Sequence, residues 1–225
     1  MGTRLRPPEL EAEFRASTLR EDGRTAAVTA AAFTLFSLPF IRNEWVWAAP
    51  AGRLGETLGL HVAFLLSSVT TMAIGLRARR PGVLDVAVVG NLLVGSLAMF
   101  LIQETRPANF YLPIVSNVVA VVLAWTVIPN RFALQLLGAA ALTASAVGWI
   151  VLFREPPSAQ GMRLVVFGLL VANVAGGFAS WKLHRSRRLQ YLAIREERSL
   201  QGRLLVASRL AALGTLVAGV GHELN

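Results

Sequence analysis

The chain has 225 residues, of which 54% are hydrophobic and only 16% charged, and its mean hydropathy is +0.55. That balance excludes an ordinary soluble domain and points to a bilayer. The formal charge of +9 does not imply nucleic-acid binding, because the arginines fall in short clusters between apolar runs instead of lining one face, and the absence of cysteine excludes disulfides and thiolate metal sites.

Residues 1–24 are polar and charged, too acidic for a signal-peptide leader, and read as a cytoplasmic amino-terminal tail. Six apolar runs follow, at about Thr25 to Ile41, Leu58 to Leu76, Val83 to Ile102, Tyr111 to Ile128, Phe132 to Phe153 and Leu164 to Trp181. Each has roughly the 17–25 residues that a helix needs to cross about 30 Å of hydrocarbon. Residues 25–181 are therefore predicted to be a six-helix transmembrane domain. Turn and charge residues mark the breaks: Arg42-Asn43-Glu44, Arg77 to Gly82, Glu104 to Pro107, Pro129 to Arg131 and Arg154 to Pro157.

Cytoplasmic flanks collect Lys and Arg. An inside amino terminus puts Arg4, Arg6, Arg15, Arg20, Arg24, Arg77, Arg79, Arg80, Arg131, Lys182, Arg185, Arg187 and Arg188 in the cytoplasm. Arg42, Arg53, Arg106, Arg154 and Arg163 remain outside. Both termini are then cytoplasmic. Trp45, Trp47, Trp125, Trp149 and Trp181 lie near run ends, where indoles meet headgroups. The outer connections are too short for a folded domain, so a stimulus has to be read in the bilayer, at its rim or through a partner. Polar groups in or near the runs are His61, Asn91, Asn117, Gln135 and Asn173. Interhelical hydrogen bonding is the common use of Asn and Gln there, whereas His61 is a candidate sensing residue for a quinone, a haem or protons. Asp85 and Glu104, at the two ends of the third run, are expected to reach water.

No proline follows Trp181, so one helix is predicted to leave the bilayer, with residues 182–205 as a signalling linker. A shift of heptad phase near Arg195 to Gly202 reads as a joint between two coiled-coil registers or as a solvated linker. From residue 206 onward the pattern is regular. Leu210, Leu213, Val217, Val220 and Leu224 form one apolar seam, and His222 faces away from it. A seam this apolar needs partner helices. Gly214, Gly219 and Gly221 lower the rigidity of the helix before His222.

The run Leu213-Gly-Thr-Leu-Val-Ala-Gly-Val-Gly-His-Glu-Leu-Asn225 resembles the H-box of bacterial sensor histidine kinases, over the last eighteen or so residues. The resemblance implies an all-α inner-membrane protein, with residues 206–225 opening a dimerisation and phosphotransfer domain in a homodimer. It also implies that His222 accepts the γ-phosphoryl group of ATP and that Glu223 hydrogen-bonds the other ring nitrogen and helps remove the proton. A response-regulator aspartate then receives the group. ATP and Mg²⁺ are expected to bind outside this chain, which has no G-x-x-x-x-G-K-[ST] loop and a single lysine, Lys182. These 225 residues alone are expected not to transfer phosphate. The alternative reading is a non-enzymatic six-span receptor or transporter-like protein whose terminal helix only oligomerises. A six-span sensor with another output, such as a nucleotide cyclase, fits the apolar runs but leaves the His-Glu pair without a role.

Overall fold

The computed structural model describes residues 7–106, 112–128, 131–153 and 159–223, with side chains at 112–114, 153, 159–162 and 216–223 left outside the description. The described residues are all-helical: α1 (Pro8–Trp47), α2 (Leu54–Arg77), α3 (Pro81–Gln103), α4 (Leu112–Thr126), α5 (Phe132–Phe153) and α6 (Ala159–Glu223). Two compact units divide the chain, Met1–His184 and Arg185–Asn225. Five helices, α1, α2, α3, α5 and α6, are long and apolar enough to cross a membrane, and α4 contributes a shorter apolar stretch, Val115–Thr126. The break at 154–157 lies outside the described residues.

The first helix departs most from the sequence reading. It begins at Pro8, well inside the expected tail, because proline suits the first helical position and Glu9 and Glu11 sit in the first turn, where the helix dipole favours acids. It also runs through Pro39 and through Arg42-Asn43-Glu44, which the composition marks as a break. The helix closes where the Ala48 amide bonds to the Glu44 carbonyl at 2.8 Å, and Gly52, with φ of 71°, supplies the left-handed turn into α2.

Small residues let the helices of the first unit approach. Gly23 on α1 and Gly75 on α2 face each other so closely that a Cβ on Gly23 would lie 2.2 Å from the Gly75 carbonyl oxygen. Gly176 on α6 accepts the Trp125 ring and Gly138 on α5 accepts Leu92. The apolar core runs through the middle, with Ala26, Leu84, Val88, Val121, Ala124 and Leu142 among its members. Polar side chains add bonds between helices, the expected use of Asn91, Gln135 and Asn173, whereas Asn117 is buried with neither amide atom hydrogen-bonded. Ser68 donates to Asn91 at 3.1 Å, Ser96 to the Ala141 carbonyl at 2.8 Å, the Trp125 indole to Asn173 at 3.2 Å, and Asn173 to Thr143 at 2.9 Å. Gln135 joins three places: it donates to the Ile128 carbonyl and its oxygen bonds Ser180 and His184.

Trp45 is exposed at the end of α1, but Trp125 and Trp149 are buried between helices, so aromatic packing and not headgroup contact positions those two. Asp85 is also buried, contrary to the expected contact with water. Its two oxygens accept bonds from Arg15 at 2.7 and 2.8 Å, and Arg131 approaches at 3.3 Å. Glu104 is partly exposed, as expected, and pairs with Arg53 at 2.8 Å.

Gly23→Leu is expected to destabilise the first unit by about 2 kcal/mol or more, since the added atoms meet backbone that cannot yield. Gly90→Ala, on an open part of α3, should be neutral or stabilising by up to about 1 kcal/mol. Unfolding in detergent mixtures compares the two.

Candidate functional site

Sequence reasoning singles out three residues, His222, Glu223 and His61, and the fold treats them differently. His222 and Glu223 close α6, so the backbone that carries them is helical to its end. Their side chains, and Leu224 and Asn225 altogether, lie outside the described residues. Upstream on the same helix, Leu204, Leu205, Val206, Leu210 and Leu213 are exposed. The apolar seam is thus unpaired over its described length. The linker region from Arg195 to Gly202 is continuous helix with exposed side chains.

His61 belongs to a second site, in the first unit, at the end opposite Asp85. Glu44 is fully buried there, at 0% exposure, and His61 is 7% exposed. The His61 Nε2 atom lies 3.0 Å from Glu44 Oε1, and Arg106 pairs with the same carboxylate oxygen. Three segments meet on one group: the last turn of α1, the second turn of α2 and the stretch after α3. Close by, Arg53 pairs with both Glu104 and Glu56 at 2.8 Å. The hydrogen bonds that Arg53 donates to Glu104 and Glu56 raise its pKa further above the ordinary arginine value.

An isolated carboxylate in a low-dielectric interior is strongly disfavoured, and ionic and hydrogen-bonded partners make its burial tolerable. Glu44 has both. His61 has its Nε2 committed to Glu44, which gives it a structural anchor in addition to any sensing role. Among the described residues no group of three or more His, Asp or Glu side chains is arranged to hold a metal ion.

Glu44 and Arg106 escape a reading of sequence alone. Each stands in a polar break between apolar runs, where a solvated charge is the ordinary outcome, and they are 62 positions apart. The available signal is that the breaks after the first and third apolar runs hold acids, Glu44, Glu56 and Glu104, in step with Arg53 and Arg106. No family model, curated protein or solved structure matches this chain.

Glu44→Ala leaves Arg106 buried without its counter-charge and should lower stability by about 3 kcal/mol or more. In the Glu44→Ala, Arg106→Met double variant the loss should be smaller than in Glu44→Ala alone. A double-mutant cycle on unfolding in detergent measures the coupling.

Proposed function

We propose that this protein is a six-span sensor histidine kinase of a bacterial inner membrane, and that His222 is its phosphoacceptor. The observation that carries the reading is the run from Ser208 to Asn225, which joins an apolar seam to a His-Glu pair at the tip of one helix. Exposure of Leu204, Leu210 and Leu213 supports a homodimer, because paired copies of α6 would bury a face that water disfavours.

Two features support the membrane placement. Large apolar side chains such as Val28, Leu35, Phe36, Leu66, Val86, Leu97, Val151, Leu152, Phe167 and Val174 point outward around the first unit, far more than a soluble surface carries. Groups assigned to the same side of the bilayer by charge also meet in space. Arg15 and Arg131 share Asp85, while Arg53 and Arg106 reach Glu104 and Glu44 at the other end. An inside amino terminus with α4 as the fourth crossing brings α6 out into the cytoplasm, where ATP is found.

In the proposed reaction a ring nitrogen of His222 attacks the γ-phosphorus of ATP, a P–N bond forms, and the P–O bond to the leaving ADP breaks. Glu223 holds the other ring nitrogen and helps remove the proton. A neutral imidazole is well populated near neutral pH, since its unperturbed pKa is about 6.5. The remaining catalysis is positioning and charge neutralisation of ATP and Mg²⁺, held outside these residues. A response-regulator aspartate then takes the phosphoryl group.

Native membranes incubated with γ-labelled ATP should acquire acid-labile, base-stable phosphate on the protein. His222→Gln should abolish it and Glu223→Gln should slow its appearance by roughly 100-fold or more. A non-enzymatic receptor would acquire none. Reporter fusions after residue 190 that place the helix outside the cell would overturn the reading.

A further inference from the structure

The first unit contains a cavity of about 170 Å³ between α1, α2, α3 and α4, with a single residue of α5 in its wall. Phe33 and Phe40 of α1, Phe64 of α2 and Met99 of α3 make it apolar and largely aromatic. Gly95 permits this, since a Cβ there would lie 2.9 Å from the Phe64 ring. The wall has a polar end formed by His61, Gln103 and Arg106.

Gln103 is the informative member. It is 4% exposed, and its Oε1 atom is buried with no hydrogen-bond partner. A buried unsatisfied amide oxygen is costly and marks a place where a bound group can be received. Arg106, the charged residue among the described lining, is paired with Glu44, which offsets its charge and favours a neutral molecule over an anion. Size narrows the class further. A dry apolar cavity of about 150 Å³ holds benzene, so this one has room for a single ring with a small substituent.

From these observations we infer that the cavity is a binding site for a small neutral phenol, with its ring among the phenylalanines and its hydroxyl on Gln103. A hydroxyl both donates and accepts, and so satisfies the amide in either orientation of its oxygen and nitrogen. Phe36, on the same wall, is 63% exposed on the outward face of α1, which gives a lipophilic molecule a lateral approach from a bilayer. The role of such a molecule as the stimulus rests on the sensor reading. The binding does not.

The test titrates the protein in lipid nanodiscs with p-cresol and with toluene, which lacks the hydroxyl, each against protein-free nanodiscs. Saturable uptake of p-cresol at a single molecule per chain is expected, about tenfold tighter than toluene after correction for lipid partitioning. In Gln103→Leu the preference should vanish, with p-cresol falling to the level of toluene. Uptake that never saturates, absence of preference in the unaltered protein, or a preference retained in folded Gln103→Leu would each overturn the site. The comparison of the two ligands on unaltered protein decides the matter even if the variant does not fold. Neither ATP nor phosphate enters the measurement, so failure here is distinct from failure of His222 to be phosphorylated.

Discussion

The first unit depends on a carboxylate taken out of water. Glu44 is fully buried near the end of α1, and the groups that make this tolerable, His61 and Arg106, come from α2 and from the stretch after α3. Neither partner can be withdrawn without leaving the other charge in a medium that does not solvate it, so loss of any one of the three groups is costly to the fold. Asp85 repeats the device at the other end, with Arg15 from α1 and Arg131 from the residue just before α5. Between these clamps the helices touch through glycines and single hydrogen bonds. The phenylalanine-lined cavity lies next to the Glu44 clamp and shares His61 and Arg106 with it.

The helices were legible because hydropathy is a property of each residue taken singly. The apolar runs at Leu58 to Leu76, Val83 to Ile102 and Phe132 to Phe153 match α2, α3 and α5 within a few residues. Hydropathy fails where a polar residue is satisfied by something distant. Arg42-Asn43-Glu44 reads as a break, yet α1 passes through it, because Glu44 has found Arg106 and no longer needs water. The same blindness assigned Asp85 to solvent and Trp149 to a headgroup layer, when both are buried. Pairings across 62 or 70 positions are set by packing, and no local pattern encodes them.

The motif at the other end of the chain is legible for the opposite reason. The spacing of Leu210, Leu213, Val217 and Val220 is local, and so is the offset that turns His222 away from them. The fold adds that the described part of this seam is uncovered in a single chain. The chemistry of His222 is a reading of sequence, and its side chain lies outside the described residues.

Under the proposed function, a signal has to travel from the first unit into α6, and the polar bonds limit where it can enter. Asn173 binds Trp125 of α4 and Thr143 of α5, and Ser180 and His184 both bind Gln135, which also holds the end of the α4 segment at Ile128. The cavity includes Ser116 and Ala120 of α4, one face of the helix whose Trp125 contacts α6. The cavity therefore borders α4, and α4 is bonded to α6 at Asn173 and tied to it again through Gln135. Gly176, packed against the Trp125 ring, is the point on α6 where a shift of α4 would be felt without a side chain to absorb it. Signal transfer through this contact requires only that packed helices slide by small steps, which interfaces of this kind permit between two arrangements.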